Sequence, residues 1–150
     1  LFTLQPEAVG MIEADSKQAI LELLARRFAE VYGLDAVPVL ERIEEREKLG
    51  STGFGRGVAI PHARMPDLTR PVAVFLRTSA PVAFDSADGM PVHLVFGLLS
   101  PEHAGAAHLH ALAAISRMMR DERMHEALEE APNGEALYAL LANVIDRDAA

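Results

Sequence analysis

Apolar positions recur at helical spacing near both ends of the chain and gather into short runs in its middle. Ile20, Leu24, Phe28 and Val31 lie three or four residues apart, which predicts a helix from Ser16 to Tyr32 with Ser16 as its N-cap and Gly33 as its stop. Asp35 is placed to cap a second helix, with Pro38 tolerated in the first turn, Val39, Leu40 and Ile43 facing inward, and Lys48 and Gly50 closing it. The texture then changes. Gly50 to Gly57 reads Gly-Ser-Thr-Gly-Phe-Gly-Arg-Gly, a density of glycine that disfavours a helix or a central strand.

Val58-Ala59-Ile60 reads as a short buried strand stopped by Pro61. Val72 to Arg77 is a clearer strand, Val82-Ala83-Phe84 a short strand or bridge, Asp88-Gly89 a turn, and Val92 to Leu99 a central strand. Helical spacing returns over His108 to Met119 and Asp121 to Glu130, and in a last helix capped by Asn133. The tail from Asp146 to Ala150 is expected to fray. No repeat, low-complexity tract or linker interrupts the pattern. The expectation is one α/β layered domain over residues 1–150, with a core at about 16–145 and a mixed β-sheet flanked by helices on both faces.

Composition narrows the function. Half of the 150 residues are hydrophobic, which suits a folded domain with one sizeable core. Fourteen Lys and Arg against 22 Asp and Glu leave a formal charge of −8, so nucleic acid is not expected as the main partner. There is no cysteine, which excludes disulfides and thiolate zinc sites and fits a cytoplasmic location. No apolar run reaches the roughly 20 residues that cross a bilayer, so no membrane insertion is expected. The opening Leu1 to Pro6 lacks the basic and long apolar regions of a secretory signal, and, since it starts without Met, residues preceding Leu1 are expected.

The chemistry concentrates between Gly50 and Arg64, where a glycine-rich loop, a buried strand and His62 form one unit. Glycines let backbone N–H groups turn toward an anion. Pro61 gives His62 a rigid base, and a neutral imidazole can attack a phosphoryl group when charge and position are arranged for it. On the residues alone, two readings stay open: His62 is an open acceptor, or it ends a strand and bonds a loop carbonyl. The loop is not a Walker motif, since no Gly-Lys-Ser/Thr follows. It is not a dinucleotide fingerprint either, since it precedes its strand. His103, His108 and His110 carry no metal-site spacing: a His-x-His pair on a helix turns its rings to different faces, and no carboxylate set accompanies them. No metal is expected there.

The run from Glu45 through Gly50-Ser51-Thr52-Gly53-Phe54-Gly55-Arg56-Gly57 to Ile60-Pro61-His62 resembles the active-site segment of the mannitol/fructose-type enzyme IIA family of the phosphoenolpyruvate-dependent phosphotransferase system, and within it the nitrogen-regulatory (PtsN-like) branch. Pro81 to Asp85, Pro91 to Leu99 and His108 to Leu112 continue the likeness, which covers about Ser16 to Ile145. The resemblance implies phosphorylation of His62 and a second active-site histidine, matched by His108 in the first turn of its helix, where a helix dipole favours an anion. His110 is assigned no role. Arg46 takes the place of an arginine that steadies phosphate oxygens. Gly53, Gly55, Arg56 and Gly57 are expected to form the phosphate loop. Arg56 stands where the branch often has a small polar residue, and could touch phosphate or a partner. Arg64 could meet the donor's surface. Asp85 reads as a turn or cap carboxylate, and Glu45 and Glu47 as solvated charges or as groups orienting Arg46.

The implied function is that of a phosphocarrier with phosphotransferase character. A small HPr-like phosphohistidine protein donates the phosphoryl group, phosphohistidine is the covalent intermediate, and no separate cofactor is needed. The phosphorylation state would then regulate sensor, transporter or metabolic proteins. The alternatives are a sugar-specific IIA that hands phosphate to a IIB domain, and an interaction module that is never phosphorylated.

Overall fold

The alternation of inward positions along two long strands decides the architecture. In the computed structural model, which describes residues 1–149, a short turn of 3-10 helix at Pro6–Ala8 leads into β1 (Val9–Ile12), α1 (Lys17–Tyr32), α2 (Ala36–Lys48), β2 (Gly53–Gly55), β3 (Val58–Ala59), β4 (His62–Met65), β5 (Val72–Val82), β6 (Val92–Pro101), α3 (Ala106–Arg120), α4 (Glu122–Glu130) and α5 (Gly134–Ala149). β5 and β6 pair antiparallel, with Val74 opposite Gly97 and Phe75 opposite Phe96. Val74 and Leu76 turn to one face and pack with Leu24, Phe28, Val39 and Ile43 of α1 and α2. Ala73 and Phe75 turn to the other and pack with Ile115, Leu128, Leu137 and Leu141 of α3 to α5. The period of two thus feeds two cores from one sheet.

Among the described residues the strand order is β1-β5-β6-β3-β2, with β4 also pairing β6. β1 lies parallel to β5, while β3 and β4 both lie parallel to β6, one after the other along the same edge. The sheet is mixed and helices cover both faces, as the pattern predicts. Gly97 makes the closest helix approach possible: a Cβ there would stand 2.8 Å from Leu24 Cδ1 and 3.0 Å from Phe28 Cε2.

The expected caps are in place. Ser16 Oγ accepts from Ala19 N at 3.0 Å, Asp35 Oδ1 from Val37 N at 3.2 Å, and Asn133 Oδ1 from Ala136 N at 2.9 Å. Gly33 ends α1 at φ +67°. α5 continues to Ala149, through the segment expected to fray; Ala150 lies outside the described residues.

Three departures matter for the site. β1 lies in the short apolar stretch Val9-Gly10-Met11-Ile12, where the pattern predicts no strand, β4 has no apolar run to announce it, and β5 extends to Val82. Pro61 interrupts pairing without ending it: its missing N–H breaks the ladder for one residue, its carbonyl still accepts from Leu98 N at 3.0 Å, and β4 resumes at His62 itself. Among the described residues no helix is long and apolar enough to cross a membrane.

Candidate functional site

β4 sets the direction of His62. Along its four residues burial alternates, with Ala63 and Met65 buried in the core under α1 and α2, and His62 and Arg64 half-buried on the opposite face. The parallel register sets His62 beside Leu98 and Arg64 beside Ser100. The His62 ring is fixed by its own chain: Nδ1 lies 2.7 Å from the Ile60 carbonyl. A carbonyl oxygen only accepts, so Nδ1 carries the proton and Nε2 holds the lone pair. His62 thus bonds a loop carbonyl, as one of the two readings expects, although it opens β4 instead of ending a strand, and its ring is partly exposed. Its pKa is lowered, first by burial. The Ile60 carbonyl opposes the shift, the Arg46 charge adds to it, and Glu47 opposes it weakly.

The second histidine arrives from the opposite direction. α3 begins at Ala106 after Gly105, whose φ of +58° suits glycine and whose lack of a side chain leaves the first turn without a side-chain cap. His108 is buried in that turn, at 6% exposure, whereas His110 is exposed. The His62 and His108 rings stand 5.6 Å apart between centroids, tilted by 52°. Behind His108, Nδ1 meets Ser100 Oγ at 2.6 Å. Burial, then the charge of Arg64, then His62 itself pull the His108 pKa down to about 4, so the ring is neutral at pH 7.

Cations border the pair. Arg46, in the last turn of α2, donates from Nη1 to the Gly50 carbonyl at 2.8 Å, and its charge is felt at His62. Arg64 follows His62 on the same strand face and is felt at His108. The structure therefore brings His62, His108, Arg46 and Arg64 into one neighbourhood.

Glu47 is a finding of the structure. It is 8% exposed and is not a solvated helix charge. Its carboxylate accepts from Thr52 N at 3.0 Å and from Thr52 Oγ1 at 2.7 Å, with Lys17 Nζ at 3.6 Å. Thr52 O in turn accepts from Ile60 N at 3.0 Å. The chain of contacts runs from α2 through Thr52 to Ile60, whose carbonyl holds His62. Glu45 is exposed, and Asp85, at φ +56°, is exposed in the irregular stretch before the turn at Ala87-Asp88.

The tip of the glycine loop goes elsewhere, which corrects the expected phosphate loop. Arg56 and Gly57, at φ +59° and +79°, form the two-residue turn of the β2–β3 hairpin. Gly57 lies against His93: a Cβ there would stand 2.6 Å from its Cε1. His62 is beside Leu98, five residues further along β6, or roughly 16 Å at strand rise. Arg56 N donates to Asp88 Oδ2 at 3.0 Å and Arg56 Nη2 reaches Glu122 Oε1 at 3.5 Å. Gly53 and Gly55 are needed for close approach to Ser86 and Asp88: a Cβ at Gly53 would run into Ser86 Oγ, and one at Gly55 would stand 3.2 Å from Asp88 Oδ2. Gly55, Arg56 and Gly57 are therefore not brought to His62, and only the root of the hairpin, at Thr52, connects to it.

The model of the family described as "Phosphoenolpyruvate-dependent sugar phosphotransferase system, EIIA 2" matches residues 3–144. The chain belongs to this family. The nitrogen regulatory protein of Bradyrhizobium diazoefficiens is 44% identical over 138 residues, covering 91% of this chain and 90% of that one. That of Pseudomonas aeruginosa is 42% identical over 134 residues, covering 89% and 87%. The crystal structure of the nitrogen regulatory protein IIA-Ntr from Neisseria meningitidis superposes with a TM-score of 0.85 at 37% identity, over 92% of this chain and 95% of that one. The IIA mannitol structure from Escherichia coli, at 20% identity and a TM-score of 0.76 over 93% and 99%, shares the fold. This IIA chain is thus a phosphotransferase-system protein with relatives in the nitrogen-regulatory branch.

Sequence reasoning missed Ser100. Its only signal is a hydroxyl at the end of an apolar run, in a strand buried everywhere but at His93 and Pro101. It also treated Glu47 as a minor charge, although Thr52 five residues later offered both a hydroxyl and a backbone donor to a carboxylate at a helix end.

Proposed function

We propose that this IIA chain carries a phosphoryl group on His62 Nε2, received from an HPr-like phosphohistidine donor, and that its phosphorylation state controls its binding to partner proteins. One observation carries the reading: the Ile60 carbonyl accepts a hydrogen bond from His62 Nδ1–H, with the heavy atoms 2.7 Å apart, which leaves Nε2 as the nucleophile of a partly exposed ring. In the transfer, the lone pair on Nε2 forms a new P–N bond as the donor's P–N bond breaks. The donor imidazole leaves with the bonding pair and takes up a proton. Charge on the three equatorial oxygens grows in a loose transition state, and positioned donors stabilise it.

The surrounding groups supply that stabilisation. When Ser100 donates its hydroxyl hydrogen to His108 Nδ1, the His108 proton sits on Nε2 and becomes a neutral donor. Arg46 adds a planar guanidinium, able to hold two oxygens, and Arg64 a second positive charge. His108 is the stabiliser, not the carrier, because its lowered pKa and burial come with a ring held from behind by Ser100. No metal or dissociable cofactor takes part in this transfer. Exposed Leu49 and Leu109, next to the ends of α2 and α3 that frame the site, offer apolar contacts to a docking partner.

The test is incubation with the phosphoenolpyruvate-driven donor system, followed by site mapping of the phosphohistidine. A single acid-labile phosphate on Nε2 of residue 62, absent from His62→Ala, is expected. Phosphate found on His108 overturns the roles. A second reading, transfer onward to a IIB domain for sugar uptake, is raised by the fructose-specific EIIA component of Haloferax volcanii, 35% identical over 112 residues. Sugar phosphorylation in the presence of purified IIB would favour it. Partner regulation that survives intact in His62→Ala would instead favour a non-phosphorylated interaction module.

A further inference from the structure

Three side chains converge on the far side of the hairpin tip, away from His62. His93 opens β6, while His125 and Glu129 sit one turn apart on α4, at i and i+4 on one face. His93 Nε2 lies 2.7 Å and His125 Nδ1 3.2 Å from the same Glu129 oxygen, Oε1. All three candidate ligand atoms fall within 4.8 Å of one another. The side chains are 25%, 14% and 40% exposed, so the cluster is formed and also reachable from solvent.

The second ring nitrogen of His125 decides what the cluster lacks. Nε2 lies 2.8 Å from the Arg56 carbonyl. That oxygen only accepts, so Nε2 is the ring's donor there, and the other nitrogen, Nδ1, faces the Glu129 carboxylate oxygen at 3.2 Å, a spacing that a bridging cation can occupy. A histidine whose outer nitrogen is fixed by a backbone carbonyl is also the arrangement that orients metal-binding imidazoles.

We propose that His93 Nε2, His125 Nδ1 and a Glu129 carboxylate oxygen form a binding site for one divalent transition-metal ion of the zinc class, separate from the His62 site. Two imidazoles and one carboxylate suit zinc, with water at the fourth position. Ligand atoms about 2.0–2.2 Å from a tetrahedral ion stand about 3.4 Å apart, so the two Glu129 contacts, at 2.7 Å and 3.2 Å, lengthen slightly, and the two imidazole nitrogens, within 4.8 Å of each other, settle to the same spacing. The ion replaces the hydrogens that face Glu129 from both rings: any proton on His125 Nδ1 leaves to solvent, and the proton on His93 Nε2 is lost to solvent while Nδ1 takes up one, so that His93 binds as a neutral imidazole. Neighbouring charge is already engaged: Arg77 Nη1 bonds the Leu128 and Glu129 carbonyls at 2.7 Å and 3.1 Å, and Arg56 pairs with Glu122. A bound ion would tie the start of β6 to α4 and, through His125, to the Arg56 turn.

The experiment is calorimetric titration of Zn2+ into the tag-free, chelator-treated full chain, beside His125→Ala, Glu129→Gln and the exposed-histidine control His103→Ala. A single-site isotherm is expected for the native chain and for the control, weakened about 10- to 100-fold or more in the other two. A parallel spectrum of 15N-labelled histidine should show Zn2+ perturbing Nδ1 of His125 and Nε2 of His93, a readout that needs no variant. Absence of saturable binding up to about 100 μM, or binding that shifts His62 and His108 and survives His125→Ala, overturns the site.

Discussion

His62 and His108 face each other across 5.6 Å, and each is held from behind by a different oxygen, the Ile60 carbonyl for one and the Ser100 hydroxyl for the other. The first oxygen accepts only, and so dictates a tautomer. The second can give or take a proton, and so leaves His108 able to adjust when phosphate arrives. On the proposed function, one ring would accept phosphorus and its neighbour would be an adjustable hydrogen-bond donor.

Removing that donor should slow the reaction without moving it. His108→Ala is expected to reduce the rate of phosphate uptake by about 10²- to 10³-fold, the loss typical of a positioned transition-state donor, with phosphate still on residue 62. Ser100→Ala keeps the ring but frees it, and about a tenfold loss is expected. Rapid-quench time courses with radiolabelled donor measure both. Native rates in His108→Ala would remove it from the mechanism.

Acidity should act on stability through the same ring. An unfolded chain protonates His108 near the usual 6.5, the folded chain only at about 4. Between these values the unfolded state binds more protons, so stability rises with pH across the window and levels off above it. His62, also lowered, acts in the same direction. The melting temperature should fall as pH drops from 6.5 toward 4, and fall less in His108→Gln. A profile identical in the variant would contradict the assignment.

The latch at Glu47 predicts coupling between stability and activity. Glu47→Ala strands the Thr52 donors and is expected to cost about 2–4 kcal/mol, read from urea unfolding. Because Thr52 supports Ile60, the carbonyl behind His62 loosens as well, and phosphate uptake should slow even at temperatures where the variant is fully folded. Thr52→Val should reproduce part of both effects.

The hairpin turn carries a residue that its backbone does not favour. Arg56 holds φ +59°, a region that Asn and Gly occupy more readily. Arg56→Gly or Arg56→Asn is expected to raise stability by about 0.4–1 kcal/mol, with uptake at His62 unchanged because the turn lies roughly 16 Å away by strand rise. Gly57→Ala should do the opposite, since its φ is +79° and a methyl would run into His93. Differential scanning calorimetry checks both signs.

Much of this was legible in the sequence wherever one side chain determines one local outcome. Ser16, Asp35 and Asn133 announced three helix starts because a capping oxygen acts within three residues. β1 was hidden because Val9-Gly10-Met11-Ile12 becomes a strand only by lying along β5, some 65 residues later. β4 was hidden behind Pro61, which ordinarily ends a strand. The glycines were read for their freedom toward an anion, whereas Gly53 and Gly57 are required by the bulk of Ser86 and His93. His62 came through by its place after the glycine loop and Pro61, and His108 by the resemblance; the fold sets their rings 5.6 Å apart. Ser100 did not, since its role exists only once the register of β4 against β6 is known.

The proton on Nδ1 of His62 is held by an oxygen just two residues back along the same chain. The carrier therefore brings its orientation with it, whatever docks and however the helices breathe. It also presents a single reactive nitrogen on a single open side. Under the proposed carrier role, giver and receiver of the phosphoryl group would share one doorway, so they would take turns and traffic through this protein would be strictly sequential.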